Sequence, residues 1–206
     1  YQITMLSGYF AQRKHQQRSV FELFFRKVPN KGGFCISAGL EQALDYLAAV
    51  RFSPQEIEYL RRLKKFPEDF LSWLESFRFT GSVKAVAEGT LVFPNEPILQ
   101  LHASLPEAQL VESALLNIIN FQTLIATKAA RVCYSAGRPI AGTYQGLGEV
   151  LEFGLRRAQG PNGALWASRA AFVGGCGATS NAQAGFEFDI PIRGTQAHAW
   201  VMAFPT

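Results

Sequence analysis

The sequence predicts an α/β protein. Three observations carry that expectation. Apolar residues change period along the chain, from strand-like runs to stripes at i, i+3, i+4 and i+7. Turn-forming Gly, Pro and Asn mark the places where the period changes. Beyond residue 149, strand segments alternate with helical ones, a βα rhythm that implies parallel strands. Composition agrees: 48% of the 206 residues are hydrophobic and 17 are Phe, enough bulk for a core, which excludes a disordered chain.

The elements follow in order. Residues 19–28 (SVFELFFRKV) are rich in β-formers and read as a strand largely buried on both faces. Pro29, Asn30, Lys31, Gly32 and Gly33 make a turn before a short strand over 34–37. Leu40, Ala43, Leu44 and Leu47 form one stripe of an amphipathic helix. Ser53, Pro54, Gln55 and Glu56 restart a helix with a capping box, in which the Ser side chain and the Glu three residues on satisfy each other's backbone N–H groups. A short helix runs through Phe70, Leu71 and Leu74.

Residues 78–103 read as short strands broken at Gly81, Gly89 and Pro94-Asn95. Pro106 opens a helix on Ala108, Val111, Leu115 and Ile118, and a second helix is expected from about Gln122 to Ala136 on Ile125, Ala129 and Val132. Then come a strand over Val150, Leu151, Glu152 and Phe153, a helix over 164–173, a strand at Ile190, Pro191 and Ile192, and a helix from about His198. A domain boundary is expected near residue 105.

The net charge of +4 is dispersed. Its densest group, Arg61, Arg62, Lys64 and Lys65, shares a helix with Glu56 and Glu58 and reads as a solvated face, so no nucleic-acid partner is expected. Cys35, Cys133 and Cys176 are odd in number and widely spaced, which argues against a disulfide scaffold or zinc site and suits a reducing compartment. With neither a secretory leader nor ~18 uninterrupted apolar residues, the chain is expected to be cytoplasmic, with no membrane partner. The first residue is Tyr1 rather than Met, and Thr206 follows an apolar run, so the chain reads as a piece of a longer protein.

Three segments could carry chemistry. The run Gly175, Cys176, Gly177, Ala178, Thr179, Ser180 is either a phosphate cradle entering a helix or a plain helix C-cap and turn. Glu152 to Gln159 (EFGLRRAQ) follows an apolar strand, and the carboxyl ends of strands are where α/β sheets bind ligands. Its two guanidiniums match carboxylate or phosphate; an internal Glu–Arg salt bridge is the alternative. Arg193, Gly194, Thr195, Gln196, Ala197 and His198 follow a second strand and put a histidine at a helix start. Neutral His can serve as base or nucleophile near pH 7. His15 and His102 read as structural.

At these segments the sequence resembles the nicotinate phosphoribosyltransferase family. EFGLRRAQGPNGALWASRAAFVGG, TSNAQAG and IPIRGTQAHAWVMAF carry the resemblance, with VFELFFRKVPN, GGFCISAGLEQALDYL, EGTLVFPNEPIL and QLVESALLNIINFQTLIATKAAR. It implies an α+β sandwich-like N-terminal domain over 1–105, then a helical connection and the first part of an irregular α/β barrel over 106–206. It implies a homodimer with active sites at the subunit interface. The implied reaction joins nicotinate to 5-phosphoribosyl 1-diphosphate in NAD salvage, with ATP hydrolysis coupled through a phosphohistidine.

By the same resemblance, His198 is the phosphorylated histidine, and Glu152 and Arg156 are the pyridine- and phosphate-facing pair. Tyr1 stacks on the nicotinate ring, Gly194 and Thr195 form the turn beside the ligand, and Arg157, Ser180 and Asn181 complete the substrate-binding set. Mg2+ is expected to act with ATP, its ligands outside this chain. The sequence departs from the family pattern at Gly177 and Ala199, and residues 138–149 look longer than usual. Two other readings are a non-catalytic remnant of the family and a related enzyme using nicotinamide or quinolinate.

Overall fold

A computed structural model describes residues 1–137 and 149–204; the longer connection expected over 138–149 falls, but for Glu149, outside the described residues. In chain order the elements are α1 (Gln2–Ala11), β1 (Arg18–Leu23), β2 (Cys35–Ile36), α2 (Leu40–Ala49), α3 (Pro54–Arg62), α4 (Glu68–Glu75), β3 (Ser82–Ala85), β4 (Leu91–Val92) and β5 (Leu99–Ser104). The second half continues with α5 (Leu105–Ser135), β6 (Leu151–Glu152), α6 (Gly160–Val173), β7 (Ala178–Thr179), α7 (Ala182–Phe188) and α8 (His198–Met202). Mixed helix and sheet is the class the sequence predicts. Two compact units interleave along the chain: residues 1–28, 39–87 and 92–120 form one, and residues 29–38, 88–91 and 121–206 the other.

The first unit holds an antiparallel sheet with β5 between β1 and β3. Along β5 the side chains alternate, with Leu99, Leu101 and Ala103 buried. The strand expected over 19–28, buried on both faces, is instead shorter and one-sided. β1 is an edge strand whose Phe21 and Leu23 are half-buried while Val20 is exposed. Only one face of this edge is covered, so its alternation marks a half-buried strand. Helices supply the other core: Leu6 of α1, Ile57 and Leu60 of α3, and Phe70, Leu71 and Leu74 of α4 interlock with Phe77. The capping box at Ser53 forms as expected, Glu56 Oε2 accepting from the Ser53 N–H at 2.7 Å and Ser53 Oγ from the Glu56 N–H at 3.3 Å.

Glu107, in the first turn of α5, is a buried carboxylate met by three donors. Oε1 accepts from the Thr80 N–H (2.9 Å) and hydroxyl (2.7 Å), and Oε2 from the Ser104 N–H (2.9 Å). Burial alone would raise its pKa, but these hydrogen bonds favour the charged form and hold it below the ordinary value.

One helix of 31 residues replaces the two expected between Pro106 and Ala136. No Gly or Pro interrupts residues 107–135, and two polar residues along the helix have buried partners. In the second unit, Thr127 Oγ1 accepts from the Ile36 N–H at 2.9 Å and Thr123 Oγ1 from the Ala38 N–H at 3.2 Å, closing an edge of β2. By length and composition α5 could cross a bilayer, yet Glu107, Gln109, Gln122, Thr123 and Thr127 are all buried along it.

The other edge of this segment takes residues 88–91: Ser37 N–H donates to Thr90 O (2.9 Å) and Gly89 N–H to Ser37 O (2.8 Å). Ala126, Ala130 and Ala170 pack with Ile36 and Ala38. Small residues let α6 come close to α5. At Gly174, which ends α6, a Cβ would run into the Ala126 carbonyl oxygen and lie 2.8 Å from Ala129 Cβ.

Two outcomes follow for stability. Gly174→Ala is expected to destabilise the protein by about 1–3 kcal/mol through overpacking, read by denaturant unfolding. Glu107→Gln is expected to cost about 1–3 kcal/mol by turning an acceptor into a donor among donors. Because the folded pKa is lowered, Glu107's contribution is whole above the ordinary carboxyl value of 4.5 and fades as pH falls through the folded value. The stability gap between wild type and Glu107→Gln should therefore narrow in acid; a gap constant down to pH 3 would refute this.

Candidate active site

The second unit carries a parallel ladder of three segments. β6 pairs with β7, Leu151 opposite Ala178 and Glu152 opposite Thr179, and Ile192 bridges Thr179 in the same direction. Backbone bonds extend both pairings: Ser180 N–H to Glu152 O, Thr179 N–H to Pro191 O and Arg193 N–H to Thr179 O, each 3.0 Å. Parallel neighbours need crossover connections, and α6 and α7 supply them. All three segments therefore leave the ladder at one edge, their carboxyl ends. From that edge issue Phe153 onward, Ser180 onward and Arg193 onward.

Glu152 is held by the chain itself. Oε2 accepts from Thr179 Oγ1 (2.6 Å) and Ser168 Oγ (2.9 Å), and Oε1 accepts from the Gly154 N–H. Asn181 extends the network, its Nδ2 donating to Ser168 Oγ at 3.2 Å and its N–H to Thr179 Oγ1 at 3.0 Å. The same Asn181 caps α7, its Oδ1 accepting from the Ala184 N–H. Ser168, Thr179 and Asn181 are all buried, whereas the loop beyond Glu152 is exposed.

That loop turns through a 3-10 turn, Leu155–Arg157. Arg156 is exposed, while Arg157 and Gln159 join Glu152, Gly154 and Leu155 in lining a cavity of about 230 Å³ floored by Phe121, Ile125, Ala164 and Ala167. Gly194 and Thr195 follow the third segment and are exposed. His198 is the first residue of the five-residue α8, also exposed, beside the apolar Trp200, Val201 and Met202.

The structure thus brings Glu152 against Arg157 around one cavity, joins Ser180 to it through the backbone and links Asn181 to it through Ser168 and Thr179, with Arg156, Gly194, Thr195 and His198 on loops from the same edge. Tyr1 belongs to the first unit, where its hydroxyl meets Glu112 Oε1 and Ser113 Oγ, each at 3.1 Å, and it is 71% exposed.

The Gly-rich run proves to be the helix C-cap and turn. Gly175 has φ +106°. The N–H groups a phosphate would need are spent within the chain: Gly174 on Ala170 O, Gly175 on Phe172 O, Cys176 on Ala171 O and Gly177 on Val150 O. The run then enters β7 instead of a helix.

Sequence reasoning missed two features. Ser168 was not singled out, although a lone hydroxyl inside the apolar stretch ALWASRAAF was a signal, and Thr179 was read only as part of the Gly-rich run. The pair Arg169–Glu88, 81 residues apart in sequence, is bidentate at 2.9 and 2.7 Å and lies next to Ser168, with the guanidinium 5.7 Å from the centre of the Phe188 ring.

Residues 1–120 match the family model for the nicotinate phosphoribosyltransferase N-terminal domain. A nicotinate phosphoribosyltransferase of Bacillus subtilis (strain 168) is 47% identical over 204 residues, 99% of this chain and 40% of that protein. The Caenorhabditis elegans protein of the same name is 42% identical over 209 residues, 99% of this chain and 35% of its own length. The chain thus spans about two-fifths or less of these relatives. The crystal structure of human nicotinic acid phosphoribosyltransferase superposes with a TM-score of 0.89 at 36% identity, over 99% of this chain and 40% of that one. A nicotinate-nucleotide pyrophosphorylase from Pyrococcus furiosus shares the fold, with TM-score 0.74 at 21% identity over 98% of this chain and 42% of that one.

Glu88→Ala, which strips the bidentate acceptor from the mostly buried Arg169, is expected to destabilise the protein by about 2–3 kcal/mol. Urea unfolding of the variant checks it, and a change under 0.5 kcal/mol would be incompatible with a structural pair.

Proposed function

The chain belongs to the nicotinate phosphoribosyltransferase family, and from that premise we propose that the whole protein joins nicotinate to 5-phosphoribosyl 1-diphosphate. The products are nicotinate mononucleotide and pyrophosphate, in a salvage route to NAD. The observation that supports this most is the common carboxyl edge from which the EFGLRR, TSN and RGTQAH segments issue. The reaction passes through a ribosyl cation with pyrophosphate leaving, so positioning and electrostatics do most of the work.

In this reading Arg156 pairs with the nicotinate carboxylate, which favours the acid over the amide because an amide leaves the guanidinium unpaired. Arg157, Ser180, Asn181, Gly194 and Thr195 border the substrates, and the ring of Tyr1 stacks on the pyridine. Glu152 stands at the base of the loop that bears Arg156 and Arg157. His198 takes a phosphoryl group from ATP and loses it to water, coupling hydrolysis to synthesis; its solvent exposure is compatible with that exchange. Residues 106–206 form the helical connection and the first part of the barrel. The enzyme is a cytoplasmic homodimer with its active sites at the subunit interface. Among the described residues no three His, Cys, Asp or Glu side chains come together to hold a metal ion.

Two measurements on the full-length protein test this. Incubation with γ-labelled ATP is expected to label histidine, and label surviving His198→Ala would sink that role. Arg156→Ala is expected to lower kcat/KM for nicotinate about 10- to 100-fold, the loss of one charge-assisted pairing, and to narrow the preference over nicotinamide. Absence of nicotinate-dependent pyrophosphate release from the wild type would overturn the activity itself.

A further inference from the structure

Glu152 sits where a carboxylate could face substrate, but its acceptor capacity is turned inward. Oε2 carries two hydroxyl donors, Thr179 Oγ1 at 2.6 Å and Ser168 Oγ at 2.9 Å, and Oε1 takes the Gly154 N–H. Each donor lies on a different element: β7, α6 and the loop that follows β6. One side chain therefore joins all three.

The hydroxyls are themselves aimed. Thr179 accepts the Asn181 N–H, which leaves its one proton for Glu152. Ser168 accepts Asn181 Nδ2, and its proton lies between Glu152 Oε2 and the Ala164 carbonyl, both at 2.9 Å; the charged oxygen is the stronger acceptor. Ser168 and Thr179 are each 1% exposed, so water does not replace them. Residue 154 fits the same device, since a Cβ there would stand 2.9 Å from Glu152 Oε1. A larger residue there would require the carboxylate to shift.

We propose that Ser168 and Thr179 are positioning residues that hold the Glu152 carboxylate inward, fixing the loop that bears Arg156 and Arg157, so that Glu152 acts through this loop and not on substrate. This rests on the proposed transferase reading for its kinetic arm only. A guanidinium meant for a carboxylate must be held at one place, and a shift of about 1 Å costs on the order of 100-fold in rate. Within the loop, Arg157 N–H donates to Gly154 O and Ala158 N–H to Leu155 O, closing its turn, while the Glu152 carboxylate ties the start of the loop to β7 and α6.

The full-length protein and its variants Thr179→Val, Thr179→Ser, Ser168→Ala and Glu152→Gln test it by two readouts. Amide hydrogen exchange over residues 153–158 should speed up at least about tenfold in Thr179→Val and in Glu152→Gln, and Thr179→Ser should restore protection. In the kinetic arm, Thr179→Val and Glu152→Gln should each lower kcat/KM for nicotinate about 10- to 100-fold, with the double variant no worse than Glu152→Gln alone. Unchanged exchange in folded Thr179→Val overturns the proposal. So do losses that multiply in the double variant, which would mean that Glu152 meets the substrate independently. A wild type that makes no nicotinate mononucleotide while the exchange effects hold would refute the transferase reading and leave the positioning role standing. Where Thr179→Val fails to fold, Ser168→Ala carries the same comparison.

Discussion

Parallel strands cannot be joined by a tight turn, and this one constraint organises the region where the chemistry-bearing motifs lie. A chain that returns to pair in the same direction must first travel back along the sheet. α6 and α7 make those journeys, and each return leaves the next loop at the same edge as the last. Three segments far apart in sequence thereby converge with no residue chosen to bring them together. The small ladder of β6, β7 and Ile192 is thus what gives the EFGLRR, TSN and RGTQAH segments a shared location.

Buried hydroxyls then do the connecting. Thr123 and Thr127 close an edge of β2, and Ser168 with Thr179 serves Glu152, while the exposed Thr80 does the same for the buried Glu107. A hydroxyl suits each place because it can accept from one group while donating to another, at little cost in volume. Both carboxylates treated this way stand at the start of an element or loop whose backbone N–H groups need an acceptor, and both are met by a mixture of backbone and side-chain donors. The first unit has its own version of the logic in the reciprocal cap at Ser53 and Glu56.

Much of this was legible in the sequence, and for physical reasons. Local signals survived intact: the capping box, the stripe through Phe70, Leu71 and Leu74, and the βα rhythm after residue 149 each depend on residues within one turn or one strand. What failed to show depended on distant partners. The burial of Thr123 and Thr127 in one continuous helix is set by a strand edge 85 to 91 residues away, which local periodicity does not show. The alternation in β1 could not say which face the fold would cover. In the candidate site, the Glu152 and Arg156 neighbourhood was readable from its position after an apolar strand. Ser168, in contrast, is one hydroxyl in a helix, and its meaning exists only once Glu152 is beside it.

The interleaving of the two units bears on the order in which the chain can be assembled as it is made. Every residue of the first unit has been synthesised once Asn120 is added, but the second unit borrows residues 29–38 and 88–91 from that earlier stretch. Ser37 can close on Thr90 early, whereas Glu88 must wait for Arg169. At about 5–20 residues per second, that wait lasts several seconds on a ribosome. Part-way through that interval Thr123 and Thr127 become available to close the other edge of β2, and Arg169 reaches Glu88 last, so the second unit is the slower to complete.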